Sequence, residues 1–179
     1  VGPLLQIGKY TLKLLIGDKK EESEIELIKD EINNISTDDA NLQKRVIDSA
    51  ISMHSELAVL MDTLLSSIYP IKIFINENKN PPPIIKEYFD SLESVRSIMV
   101  PVKEGTAITG EEKIRDKISG LYSGVVFYDG RPTESQLEFV KTLRFEIDQA
   151  KLKLMNTRKA YSKRVKQLLP DNLKGYVTE

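Results

Sequence analysis

The chain has 179 residues, enough for one sizeable domain or one domain with a small appendage, and its formal net charge is -1. That balance sets up no overall field for nucleic acid or an anionic membrane. The absence of cysteine excludes disulfides, thiolate metal sites and a cysteine nucleophile. No uninterrupted apolar run reaches about 18 residues, so no membrane span is expected, and no charged-then-apolar leader opens the sequence.

Val1 to Asp30 reads as a β-hairpin. Tyr10, Leu12, Leu14 and Ile16 alternate with Lys9, Thr11, Lys13 and Leu15, the period-two pattern of a strand with one buried face. Gly17-Asp18-Lys19-Lys20 supplies turn chemistry. Ser23 to Lys29 then alternates again, with Ile25 and Leu27 opposite Glu24 and Glu26. A lone hairpin is marginal in water, so it is expected either to pack on the remainder of the chain or to end a β-sandwich element. The second option is favoured, and with the Val1 start it suggests a C-terminal piece of a larger protein.

Residues 31–179 read as a helical bundle. Asn33-Asn34 marks a turn, and Ser36, Thr37, Asp38 and Asp39 form a helix cap. Leu42, Val46, Ala50, Met53, Leu57, Leu60 and Leu64 then step by three and four. Ile47, Ile51, Ala58, Met61 and Leu65 widen that face, as a helix with several neighbours requires. Pro70 is expected to kink the helix, which resumes through Phe74 to about Asn78. The prolines before Ile84 break the chain, with Pro83 opening a second helix on Ile85, Tyr88, Leu92, Val95 and Met99. Val100 to Gly110 reads as a loop, and Thr109 to Glu112 as a capping box.

A third helix carries Ile114, Ile118, Leu121, Val125 and Tyr128. Its Gly120 and Gly124 imply close approach of a neighbouring helix. Gly130 is expected to end it in the left-handed conformation, and Pro132 to block continuation. Thr133-Glu134-Ser135-Gln136 is a capping box for a terminal helix running to about Leu169. Its stripe is Val140, Leu143, Ile147, Ala150, Leu154, Thr157, Tyr161, Val165 and Leu168. Pro170 and Gly175 then leave a polar tail. The expected fold class is mainly α: an antiparallel four-helix bundle with long first and last helices, packed side by side, preceded by a β-hairpin.

Reactive constellations are scarce. His54 is the single histidine, too few for a triad or a histidine metal site, and is expected to be a packed or surface residue. Glu21-Glu22, Asp38-Asp39 and Glu111-Glu112 are assigned to turns and helix N-termini, where negative charge is favoured. No phosphate loop and no nucleophile elbow occur. Arg158, Lys159, Lys163, Arg164 and Lys166 form the candidate anion or partner face. The simpler reading is a solvated surface complementing the helix dipole. No catalytic residue, cofactor or metal ligand is assigned.

One arrangement of motifs points to a family. It starts with Gly8-Lys9-Tyr10-Thr11-Leu12-Lys13-Leu14, a Gly-Asp turn, a strand ending at Lys29-Asp30 and a capped helix. Leu121-Tyr122-Ser123-Gly124-Val125-Val126, Asp129-Gly130-Arg131-Pro132-Thr133 and a long helix follow. This order resembles the C-terminal region of large bacterial and archaeal proteins with sortilin-like, BNR-repeat β-propellers, often labelled sialidase-like glycosyl hydrolases. The resemblance implies that glycan-directed chemistry belongs to a propeller outside this chain. The expectation is therefore a non-catalytic accessory or assembly domain acting through long amphipathic helices, with the remainder of a parent polypeptide as partner and a possible homodimer. The alternative is a nucleic-acid-associated or adaptor module using the basic face, and nucleic acid is the less favoured partner.

Overall fold

The computed structural model describes residues 5, 7–28, 30, 35–101, 112–128 and 130–177. The chain is mainly helical with an N-terminal antiparallel hairpin. In order the elements are β1 (Gly8–Ile16), β2 (Lys19–Leu27), α1 (Thr37–Glu77), α2 (Pro83–Met99), α3 (Ile114–Val126), α4 (Glu134–Leu168) and α5 (Asp171–Lys174).

The hairpin closes through Gly17-Asp18, with Gly17 at φ 57° and Ile16 paired to Lys19. Positive φ at the first central residue is the reason glycine stands there in a two-residue turn. The register places Lys9 opposite Glu26, Thr11 opposite Glu24 and Lys13 opposite Glu22 on one face. Tyr10 lies opposite Ile25 and Leu12 opposite Ser23 on the other. Glu21 and Glu22 therefore lie within a strand, not at a turn as their spacing had suggested, and Glu22 pairs with Lys13 and Lys20.

α1 begins where Ser36 Oγ accepts the Asp39 N–H at 3.1 Å. It continues for 41 residues, on the order of 60 Å. Pro70, expected to bend it, lies buried inside one continuous element that ends at Glu77. α2 starts at Pro83 and buries Ile85, Tyr88, Leu92, Val95 and Met99, all five as the spacing predicted. In α3 the Asp116 carboxylate accepts the Lys113 N–H at 3.3 Å. The loop over 102–110 and most of the Thr109–Glu112 box lie outside the described residues.

Three local expectations are corrected. α3 stops at Val126, so Tyr128 falls beyond the helix and is exposed. Gly120 faces open space, while only Gly124 meets a neighbour, the Gln136 side chain. Gly130 is not left-handed. Among the described residues only Gly8 and Gly17 have positive φ, and Gly130 instead leaves room for the Tyr128 ring, which an added Cβ would approach to 2.5 Å. The corner after it does follow the sequence: Thr133 Oγ1 accepts the Gln136 N–H at 3.2 Å, and Gln136 Oε1 accepts the Thr133 N–H at 2.9 Å.

Long-range pairs give the helix directions. Asp39 pairs with Arg131, Glu56 with Arg144 and Lys151, and Ser67 with Arg158, so α1 and α4 run the same way. Gln43 reaches Val125 and His54 reaches Ser119, so α3 runs against α1. Gly124–Gln136 and Lys117–Glu146 set it against α4 as well. Ser94–Lys153 and Tyr88–Tyr161 set α2 against the later half of α4. The two long helices are thus parallel to each other, and α3 and α2 follow one another along them. The stripes of α1 and α4 meet those of α2 and α3 in one core that includes Met53, Leu64, Ile118, Leu143 and Ile147. At the far end Leu168 is exposed and Leu169 is buried. Leu173 of α5 and Val177 join the core where a polar tail had been expected.

Among the described residues no such core lies under the hairpin, which packs against no helix to any appreciable extent. Leu12, Leu14 and Ile16 are 54%, 57% and 66% exposed.

Candidate functional site

The basic run predicted on the last helix is divided by the fold. Lys159, Lys163, Arg164 and Lys166 are exposed on α4, and Arg164 lies over the Tyr161 ring at 5.9 Å. Arg158 turns inward instead. One of its terminal nitrogens donates to the Thr63 carbonyl at 2.7 Å and to Ser67 Oγ at 2.9 Å, which ties α4 to α1.

Arg158 belongs to a polar cluster that the sequence reading missed. Ser67 of α1, Tyr88 of α2 and Ser162 of α4 are fully or almost fully buried around it. The Tyr88 ring stacks on Tyr161 with centroids 5.6 Å apart. Among the described residues its hydroxyl meets no hydrogen-bond partner, and neither does Arg158 Nε. Burial pushes the Tyr88 hydroxyl above its ordinary value, opposed by the nearby Ser162, Arg158 and Ser67. The phenol therefore keeps its proton at neutral pH. The available signal was the i,i+4 pair Arg158 and Ser162 on the edge of an apolar stripe.

A second concentration of charge lies between the same two helices. Glu56 accepts hydrogen bonds from Lys151 and Arg144. The Lys151 bond holds its carboxyl below the ordinary range against the opposing effect of burial, and Arg144 adds to it. Lys117 grips both Glu146 oxygens at 2.7 and 3.0 Å across α3 and α4. At the corner, the Ser36 hydroxyl and then Arg131 hold Asp39 below its ordinary value. The Gln43 amide donates to the Val125 carbonyl in the last turn of α3 and to the Tyr128 carbonyl just beyond it. Each of these groups holds helices in register.

Among the described residues one place brings histidine and a hydroxyl together. His54 Nε2 lies 3.1 Å from Ser119 Oγ, beside an open groove of about 430 Å³ lined by Ala50, Ile51, His54, Ser55, Ala58 and Tyr122. Ser119 Oγ also lies 3.0 Å from the Arg115 carbonyl, and when its proton points there its oxygen accepts from the His54 N–H. In that arrangement the polarity is the reverse of an activated nucleophile. Among the described residues no group of three or more His, Asp and Glu is placed to hold a metal ion. α1 contains an 18-residue window of mean hydropathy 1.5, long and apolar enough to cross a membrane by length and composition, with 33% of the window buried.

The remaining unusual surface is the hairpin. One face carries Leu12, Leu14 and Ile16 in the open, and the other carries the Lys–Glu pairs. Comparison with known proteins finds no matching family, no matching curated protein and no matching solved structure.

Proposed function

We propose that the chain is a non-catalytic assembly module, in which a self-contained helical body presents a β-hairpin to a partner. The observation that carries this is the contrast in burial. Met53, Leu64, Ile71, Leu92 and Leu143 are completely buried, whereas Leu12, Leu14 and Ile16 are more than half exposed. Exposed apolar surface of that kind marks interaction sites. The long stripes, first expected to serve assembly, are consumed inside the body, which leaves the hairpin face as the surface for assembly. In this reading the body is a bundle with three helices in any cross-section: α1, α4 and either α3 or α2. The resemblance to sortilin-like propeller proteins adds a setting for such a module and no chemistry.

The test is to replace Leu12 and Leu14 together by serine in the full chain. The expected result is an unchanged helical signal and thermal midpoint, with reduced binding of an apolar dye. A fall in the midpoint of the helical body would show that the face is spent within the chain and would overturn the reading.

A further inference from the structure

From Gln149 to Pro170 the chain carries lysines and arginines and no acid, and α1 alongside carries no acid from Thr63 to Asn76. The fold sorts these cations. Lys151 pairs with Glu56, Lys153 donates to Ser94 and Arg158 turns inward. Lys159, Lys163 and Lys166 stay exposed and pair with no carboxylate among the described residues. The helix dipole accounts for Lys166 in the last turn, but its effect fades before Lys163 and Lys159. The net charge of -1 conceals this local excess, because charges more than about 10 Å away are screened by salt.

The lysines share their face with apolar side chains. Leu152, Met155, Lys159, Lys163 and Lys166 step by three and four, which places them in one row along α4. That row lies about 100° around the helix from Lys151 and Arg158, which face α1, and away from Tyr161, which stacks on α2. Leu152 and Met155 are 48% and 65% exposed. The pairs Glu56–Lys151 and Thr63–Arg158 bring Val59 of α1, 67% exposed, level with them. We propose that this outer face of α4 docks on an anionic lipid surface. The ammonium groups meet acidic head groups while Leu152, Met155 and Val59 dip to the acyl boundary, and the lysine stems lie along it. A nucleic-acid backbone offers the lysines the same charge but gives the exposed aliphatic side chains nothing to enter. The inference concerns a surface other than the hairpin and does not rest on the assembly reading.

The test is flotation of the full chain with vesicles of phosphatidylcholine alone or mixed with phosphatidylserine. The expected result is binding to the mixed vesicles only, weakening as salt is raised. Changing Lys159, Lys163 and Lys166 together to glutamine should lower partitioning on the order of a hundredfold with the helical signal unchanged. Changing all three to arginine should preserve binding, and Leu152→Ser with Met155→Ser should reduce it several-fold. Absence of binding, or equal binding to neutral vesicles, overturns the proposal. So does binding that survives the glutamine variant but is lost in Leu12→Ser with Leu14→Ser, which moves the contact to the hairpin. A random-sequence DNA duplex that binds more tightly than the vesicles and strips the chain from them also overturns it, and makes nucleic acid the occupant.

Discussion

Replacing Tyr88 by phenylalanine isolates the polar cluster with the least disturbance. The ring is fully buried and stacked on Tyr161, and the substitution keeps that contact while removing a hydroxyl that has no partner among the described residues. A buried, unpaired polar group costs about 1–3 kcal/mol. With Ser67 and Ser162 close enough to recover part of that, the expected gain is about 1 kcal/mol. In a chain of this size it corresponds to a rise of about 2–4 °C in melting temperature. The same variant should alter the alkaline limb. Tyr88 is raised above its ordinary value of 10.0, so the folded state holds this proton more tightly than the unfolded state. The stability from that difference is fully present below the unfolded value and is lost as pH rises through the folded one. Phenylalanine removes this part of the pH dependence. Urea unfolding followed by circular dichroism, at neutral pH and across the alkaline range, measures both effects. A loss of about 1 kcal/mol or more at neutral pH would refute the reasoning, because it would mean the hydroxyl is satisfied.

Four further outcomes follow from the contacts. Glu56→Gln should flatten the acid limb. The lowered folded value contributes stability above the unfolded 4.5 that is lost as pH falls through the folded value, and acid unfolding curves of the two proteins should converge below it. A double-mutant cycle on Glu56 and Arg144, read by urea midpoints, should return a coupling of about 0.5–1 kcal/mol, and zero would make the pair ornamental. Thr133→Ala removes the cap of α4 and should cost about 1 kcal/mol, checked by thermal unfolding. Leu64→Ala should cost about 2–5 kcal/mol while Leu168→Ala costs under about 1 kcal/mol, since only the first is buried; equal losses in chemical denaturation would contradict the core assignment.

Much of the architecture was legible in single residues and their spacing. The five core positions of α2, the reciprocal Thr133–Gln136 cap and the presence of a turn at Gly17-Asp18 depend on contacts a few residues apart, although the second strand starts at Lys19, inside the four residues read as turn. Local rules therefore suffice for them. Tyr128 and Leu168 were misread for a related reason. Periodicity continues a stripe until something breaks it, and the breaks after Val126 and Leu168 come from the chain turning away, which periodicity does not register.

Helix directions were beyond the sequence, because an amphipathic stripe is satisfied equally by parallel or antiparallel neighbours. The choice rests on pairs nearly a hundred residues apart, such as Glu56 with Arg144 and Ser67 with Arg158. The fate of Arg158 was hidden for the same reason: on a helical wheel it joins Lys159 and Lys163, and only the approach of α1 turns it inward. By itself the sequence determined which segments are helix or strand and which side chains seek cover, since those follow from backbone sterics and apolar spacing. Tertiary structure alone decided which apolar surface found that cover. Burial is a property of two surfaces meeting, and the stripes of α1 and α4 meet partners while Leu12, Leu14 and Ile16 of β1 stay exposed.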